Sequence, residues 1–455
     1  MTATAETLSA LCAEAKKPAA RAAIDQANAD RGALYALLGG DDPKQRKNAA
    51  RLLGALRRER DAEALCEALG KEKTLFVIPS ILLALGSAGG AQAMAALTGY
   101  AAPEAEDPSE QKHIDAIGEA LHKARSSLCD EALPRYTAEG PRAFLAVAPA
   151  GFEDVLCEEM QRLGFAPKAA PEGCVVETRD WERLLQARCL DELLLPLGGA
   201  AMEPEAIAKL AAQELTLPYR IELRGYGGDR ADMIRKIRRA CGGENNPAHY
   251  ALELRVAADG TRCALFIKPS FDDGARYPWR KRVISASIKP ALGACLARYA
   301  ARHAADNPRV LDPFCGCGAL LFSCEEAFPC ASLLGVDISQ NAVLAAKENA
   351  GACQSRARFI QKDVLQFTPR EPAELVISNL PFGNRVGTHG DNRRLYAAFL
   401  AKLPALLARG GVALLYTMEY RLLADCLARQ PALTRIDARR TEAGGLLPWV
   451  FLLKK

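Results

Sequence analysis

The sequence predicts a multidomain chain: an all-α helical-repeat stretch first, then an α+β region, then a Rossmann-like, doubly wound α/β domain. Three observations carry this prediction. Up to about Leu133 the chain is rich in Ala, Leu and Arg at helical spacing. Around Pro134 to Pro141 the composition changes and strands begin, and from Val283 to the C-terminus strands and helices alternate. A chain of 455 residues is too long for one core and fits roughly two to four domains.

A net charge of +4 excludes a polycation, so any nucleic-acid surface must be a local patch. The N-terminus, Met1 to Lys17, has no apolar signal core, and no run reaches the length of a membrane span. The 15 cysteines are odd in number and scattered. The expectation is a reduced, cytoplasmic protein with free thiols and no membrane association. Cys315, Cys317, Cys324 and Cys330 match no common zinc spacing and have no histidine among them, so no metal site is expected.

In the helical stretch two segments look alike. Arg46 to Leu69 contains Leu52-Leu53-Gly54-Ala55-Leu56 and then Asp61 to Leu65. Pro79 to Leu97 contains Leu82-Leu83-Ala84-Leu85-Gly86 and then Gly90 to Met94. The offset of roughly 30 residues is that of helical-hairpin repeats, which must stack to bury their apolar faces. Residues 9–37 and 108–128 are candidate capping copies. The pattern resembles HEAT repeats over residues 1–133, and an irregular helical bundle is the alternative.

The α+β region reads as two small units. The first has strands at Ala143–Val147 and Cys174–Thr178, with helices at Gly151–Leu163 and Asp180–Ala187. The second has a helix at Ile207–Leu215, a strand at Tyr219–Arg224 and a helix at Asp229–Cys241. Two further strands, Tyr250–Ala257 and Arg262–Ile267, join at the turn Ala258-Asp259-Gly260.

The C-terminal region carries the chemistry. Arg309 to Asp312 is an apolar strand ending in an acid, followed by the glycine turn Pro313-Phe314-Cys315-Gly316-Cys317-Gly318 and a helix, Ala319 to Ala327. Position 321 is Leu, so the turn is not the dinucleotide fingerprint, and no Gly-Lys-Ser/Thr follows, which excludes a P-loop. The next strand, Ser332 to Asp337, ends in an acid placed to accept from ribose hydroxyls. Arg358 to Val364 contains Asp363, suited to an adenine amino group. The fourth strand, Glu374 to Ser378, runs into Asn379-Leu380-Pro381-Phe382-Gly383. The Asn379 side-chain oxygen and the Leu380 carbonyl are two acceptors for an amine, Pro381 stiffens the loop, and Phe382 offers a flat face for a base. Such a site works by positioning a weak nucleophile rather than by a strong base.

Asp-Pro-Phe-Cys-Gly-x-Gly, Gly-Val-Asp, Asp363 and Asn-Leu-Pro-Phe-Gly-x-Arg-x-Gly together resemble the THUMP-domain class I guanine-N2 RNA methyltransferases of the tRNA type, over roughly residues 143–455. The resemblance implies a ferredoxin-like subdomain at 143–200 that opens with a segment like Ala148-Pro149-Ala150-Gly151-Phe152-Glu153. It implies a THUMP-like RNA-binding domain at 201–270 and a seven-stranded methyltransferase domain at 276–455. Ser285 to Leu292 resembles the family's segment beside the cofactor, and Leu433–Arg439 with Leu447–Leu453 its antiparallel hairpin. The cofactor implied is S-adenosylmethionine, on Asp312, Phe314, Gly316, Gly318, Asp337, Ile338, Asp363, Val364 and Asn379, with Asn379, Leu380, Pro381 and Phe382 as the catalytic segment. The implied reaction methylates the exocyclic N2 of a guanosine in tRNA. Alternatives are the same chemistry on a large-subunit rRNA guanosine, or a non-catalytic helical-repeat RNA-binding protein. The family does not generally carry the helical N-terminus, which is open to a protein partner, and a monomer is expected.

Two patches suit RNA. Arg276 to Arg298 holds Arg276, Arg280, Lys281, Arg282, Lys289 and Arg298 without an acid, with Tyr277 and Trp279 interleaved. The helix Asp229–Cys241 carries Arg235 and Arg239 among its cations, and Arg385 flanks the catalytic loop. The RNA contacts expected are Arg276, Trp279, Arg280, Lys281, Arg282, Arg235, Arg239 and Arg385, with a paired base flipped out to reach Phe382.

Overall fold

In the computed structural model, the described residues between 31 and 128 are mostly helical, as the apolar spacing predicts. The described residues are 31–455 except 104–106, 108–109, 129–134, 139, 248, 272–275, 285–286 and 383–388. Of the candidate capping copies, residues 9–30 therefore lie outside the described residues. The helices are α1 (Arg31–Leu38), α2 (Pro43–Leu56), α3 (Ala62–Lys71), α4 (Ile78–Ala88), α5 (Gly90–Gly99) and α6 (Gln111–Ser127). Helix α2 starts where Asp42 caps it, its side chain accepting from the Lys44 N–H at 2.8 Å, with Pro43 in the first turn. In one layer α2 packs on α4 and α4 on α6; in the other α1 packs on α3 and α3 on α5. Leu53, Leu65, Ile81, Leu85, Leu97 and Ile117 lie fully buried between them. Arg46 is spent inside this segment, forking onto Glu72 at 2.8 and 2.9 Å.

The chain divides into two units, Met1–Tyr136 with Gly199–Leu265 and Thr137–Gly198 with Phe266–Lys455. The first unit contains, beyond the helices, α8 (Pro204–Ala211), β5 (Tyr219–Arg224), α9 (Arg230–Cys241), β6 (Leu252–Asp259) and the first half of β7 (Arg262–Pro269). Strands β5 and β6 are parallel, with Tyr219 opposite Leu252. Helix α9 begins at Asp229, which caps it by accepting from the Asp232 N–H at 3.1 Å.

The second unit opens with β1 (Arg142–Val147), α7 (Glu153–Arg162), β2 (Lys168–Ala170), β3 (Gly173–Thr178) and β4 (Glu192–Ala201). Strand β1 pairs antiparallel with β3 and β4, and β2 with β3. Two expectations are corrected here. The helix expected over 180–187 is only a 3₁₀ turn, Glu182–Gln186, because the chain opens so that the Ala187 and Leu190 carbonyls can accept from Arg276 at 2.8 Å each. Strand β4 was not predicted, since Pro196 and Gly198-Gly199 argue against a strand; Pro196 sits exposed and Gly198 takes φ of +114°.

The C-terminal part follows as α10 (Pro290–Ala301), β8 (Arg309–Asp312), α11 (Ala319–Ala327), β9 (Ser332–Asp337), α12 (Gln340–Cys353), β10 (Arg358–Gln361) and β11 (Ala373–Asn379). It ends with α13 (His389–Leu406), β12 (Leu407–Thr417), α14 (Tyr420–Leu427), β13 (Thr434–Arg440) and β14 (Trp449–Lys454). The seven strands run β10-β9-β8-β11-β12-β14-β13, parallel through β12 with β14 antiparallel on each side. From β8 the chain winds outward to β9 and β10, then returns to start β11 on the other side. That reversal opens a crevice beyond the carboxyl ends of β8 and β11. Charged pairs join the early and late parts of this unit: Asp154 on α7 accepts from Arg302 at 2.6 Å and from Arg439 at 2.8 Å, while Glu159, buried, meets Arg298 at 2.8 Å.

Candidate active site

Register brings the strand-end acids together. Asp312 on β8 lies opposite Gly335 on β9, and Asp337 at the end of β9 lies opposite Gln361 on β10, two residues before Asp363. Asn379 ends β11 opposite Tyr416. These ends open into one cavity of about 430 Å³. Asp312, Phe314, Gly316, Asp337, Ile338, Asp363, Val364 and all of Asn379-Leu380-Pro381-Phe382 line it. Of the expected cofactor residues only Gly318 is not part of the lining. It acts instead on the turn, with φ of +88° and room for no Cβ, which would fall 2.7 Å from the Phe322 ring.

The glycine turn is held by the acids it faces. Asp337 accepts from the Gly316 N–H at 2.9 Å through one oxygen and from the Ser339 N–H at 2.8 Å through the other. Each carboxylate oxygen has a second lone pair, so Asp337 retains acceptor capacity toward the cavity. Asp363 accepts from the Leu365 N–H at 2.9 Å and caps a short 3₁₀ turn, so it is a cap and a cavity wall at once. Asp312 is 2% exposed and accepts from Ser378 Oγ at 2.6 Å and the Phe314 N–H at 3.1 Å. Burial nevertheless pushes its carboxyl up to about 7, and the neighbouring Asp337 charge pushes the same way.

The Asn379-Leu380-Pro381-Phe382 segment is braced from behind. The Leu380 N–H donates to the Tyr416 carbonyl at 2.9 Å. The Pro381 carbonyl accepts from the buried Tyr396 hydroxyl at 2.9 Å, and that hydroxyl also meets Thr417 Oγ1 at 2.7 Å. Phe382 stands 6.2 Å from Tyr416, tilted by 60°.

Several wall residues were not singled out from the sequence. Ile284, Ser287 and Ile288 line the cavity, as do Lys362 and Leu395. Asn349, fully buried on α12, ties Arg282 to the glycine turn: it donates to the carbonyls of Arg282 at 2.9 Å and Cys317 at 3.1 Å. The one sequence signal for this wall was the resemblance of Ser285 to Leu292 to a cofactor-side segment.

The RNA-facing expectation needs correction at two positions. Arg276 is buried on the Ala187 and Leu190 carbonyls, and Trp279 is buried with its ring 5.5 Å from Phe322, so neither offers a surface for stacking or phosphate contact. Arg280 and Lys281 are exposed. Arg282 is half-buried and engaged with Glu348 at 2.9 Å and Asn341 at 2.5 Å. Arg235 and Arg239 are exposed on α9, Arg235 beside Asp232 at 3.4 Å. Arg385 lies outside the described residues. None of the described helices is long and apolar enough to cross a membrane.

Comparison with known proteins agrees with this geometry. Residues 278–448 match the model of the UPF0020 family, described as RMKL-like, methyltransferase domain. The chain is 29% identical over 333 residues to a Thermus thermophilus protein named tRNA (guanine(6)-N2)-methyltransferase, covering 67% of this chain and 97% of that protein. The crystal structure of TrmN from Thermus thermophilus superposes with a TM-score of 0.56 at 26% identity, over 69% of this chain and 99% of that one. The structure of SMU.472 complexed with SAH shares the fold, with a TM-score of 0.54 at 15% identity over 69% of this chain and 98% of that one. Residues 278–448 are thus similar to a methyltransferase domain of the UPF0020 type by sequence and lie on a doubly wound fold.

Proposed function

We propose that the chain transfers a methyl group from S-adenosylmethionine to the exocyclic N2 of a guanosine in tRNA. The observation that carries this reading is a single cavity in which three strand-end acids face the Asn379-Leu380-Pro381-Phe382 segment. The donor set fits the cofactor, a cation with a ribose and a flat base: Asp337 for the ribose hydroxyls, Asp363 for the adenine amine, Ile338 and Val364 as apolar walls, Asp312 as the buried negative charge. When bound, S-adenosylmethionine supplies an electrophilic methyl. On the other side the Asn379 side-chain oxygen and the Leu380 carbonyl hold the amine hydrogens, and the Phe382 ring takes the base. The choice of guanine in tRNA rests on the Thermus thermophilus relative named for that activity. We assign residues 143–200 as ferredoxin-like, 201–270 as THUMP-like RNA-binding, 276–455 as the transferase and 1–133 as a HEAT-like helical domain.

The test is incubation with labelled S-adenosylmethionine and a mixture of tRNA, rRNA and DNA from cells lacking the gene, followed by nucleoside analysis. Labelled N2-methylguanosine in the tRNA fraction is expected. Label confined to DNA, rRNA or protein would sink the assignment.

Asp312 adds a pH dependence. Its folded pKa of about 7 lies above the unfolded carboxylate value, so the folded state holds an extra proton between about pH 4 and 7. Stability from this group is therefore greatest in acid and declines as pH rises to about 7. A cationic cofactor favours the ionised form. Its affinity should rise about tenfold from pH 6 to pH 8, following the ionised fraction. Calorimetric titration should show that rise in the wild type and a flat profile in Asp312→Asn. An equally steep profile in the variant would remove Asp312 as the cause.

A further inference from the structure

The helical segment carries a groove of about 600 Å³ that takes no part in methyl transfer. Lys47 and Arg51 line it from α2, Arg57 from the residue after α2, Leu83 from α4 and His113 from α6. No Asp or Glu is among the described residues that line it. The pattern is built in: α2 carries four cations and no acid, and α4 carries no charge at all. Two acids of the segment are engaged within it, Glu72 with Arg46 and Asp61 with Arg31 and Tyr35, and Asp115, beside Ala116 on α6, accepts from Gln111 at 3.0 Å. The floor is small residues, because α2 and α4 close on each other. A Cβ on Gly54 would meet the Ala84 Cα at 3.0 Å. The Lys47 ammonium stands over the half-buried Phe76 ring at 5.3 Å.

Arg57 adds a further cation to the groove. It ends α2 with φ of 49° and ψ of 53°, the left-handed conformation that helix ends usually give to glycine. Its side chain is exposed on the groove.

We propose that this groove binds the phosphodiester backbone of RNA and gives the chain a second hold on its tRNA substrate; this rests on the tRNA reading above. From Lys44 to Arg57 the helix surface runs roughly 20 Å, long enough for several consecutive phosphates. With no acid among the described lining residues, the charges of Arg51 and Arg57 are not cancelled within the groove. Backbone phosphates carry no sequence information, so a contact made through them is independent of sequence. A protein partner would need a buried aromatic or aliphatic anchor, and the groove offers only Leu83 and the side of Phe76.

The test uses the full chain and an unmodified tRNA transcript, with no S-adenosylmethionine present, in filter binding across a range of salt. The double variant Lys47→Gln with Arg51→Gln should bind about tenfold more weakly, with a log–log salt slope shallower by about 1.4. Arg57→Gly should weaken binding severalfold while its Tm equals or exceeds that of the wild type, since glycine suits the backbone there. Affinity and slope unchanged in both variants would overturn the proposal. So would displacement of the transcript by polyglutamate at matched charge concentration, which would mark a site for acidic protein. The two readings fail separately. Variants that bind like a catalytically active wild type refute the groove alone. A wild type that binds the transcript through the groove yet transfers no methyl to it refutes the substrate reading alone.

Discussion

Asn379→Ala is expected to lower methyl transfer to tRNA by about a hundred- to a thousandfold, the scale of losing one positioned polar group at a reacting centre. The Kd for S-adenosylmethionine should stay within a few-fold of the wild type. The side chain stands at the end of β11, one residue before a carbonyl whose own N–H is fixed on Tyr416. Its removal leaves the amine held by one acceptor instead of two, and the nucleophile's lone pair loses its aim. The acid wall keeps its own supports, because Asp312 and Asp337 end other strands and Asp363 caps a separate 3₁₀ turn. Single-turnover rates with saturating cofactor, beside an equilibrium Kd, separate the two effects. A parallel loss of cofactor binding would place Asn379 on the donor side and refute its acceptor role.

Asp337→Ala should do the reverse, raising the Kd for S-adenosylmethionine about a hundredfold through loss of two charge-assisted hydrogen bonds to ribose. A second contribution comes from the protein itself. Asp337 also holds the Gly316 N–H, so the alanine variant loosens the glycine turn that forms the cavity floor. Activity at saturating cofactor should recover much of its wild-type value. A normal Kd in this variant would refute the ribose assignment.

The site was legible from the sequence where chemistry and local structure coincide. Strand β9 and helix α11 fall on the expected residues, because an apolar run ending in an acid and a glycine turn opening a helix are local patterns. Asp312, Asp337 and Asp363 followed from those strand ends. Tyr396 and Asn349 were not legible, since each acts through a carbonyl that folding brings from a distant segment. Arg276 and Trp279 show the opposite failure. A basic run with interleaved aromatics reads the same whether its side chains face solvent or fold inward. What buries Arg276 is a pair of carbonyls at Ala187 and Leu190, almost ninety residues earlier (|i−j| of 89 and 86). Strand β4 was hidden by Pro196, which the sheet tolerates because that position is exposed.

The charged pairs at Asp154 have a consequence for how the protein is made. Residues 137–198 share a unit with 266–455, and the ribosome delivers 199–265 in between. Asp154 emerges early but meets Arg302 and Arg439 only after 148 and 285 further residues have been added. Chains generally fold from the N-terminal side as they emerge. Until the segments that carry Arg302 and Arg439 have left the exit tunnel, Asp154 on α7 has neither arginine to meet. The Asp154–Arg439 pair therefore forms late in synthesis relative to the cavity's strands, and a ribosome that stalls before Arg439 releases a unit without it, however much of the catalytic cavity it has already encoded.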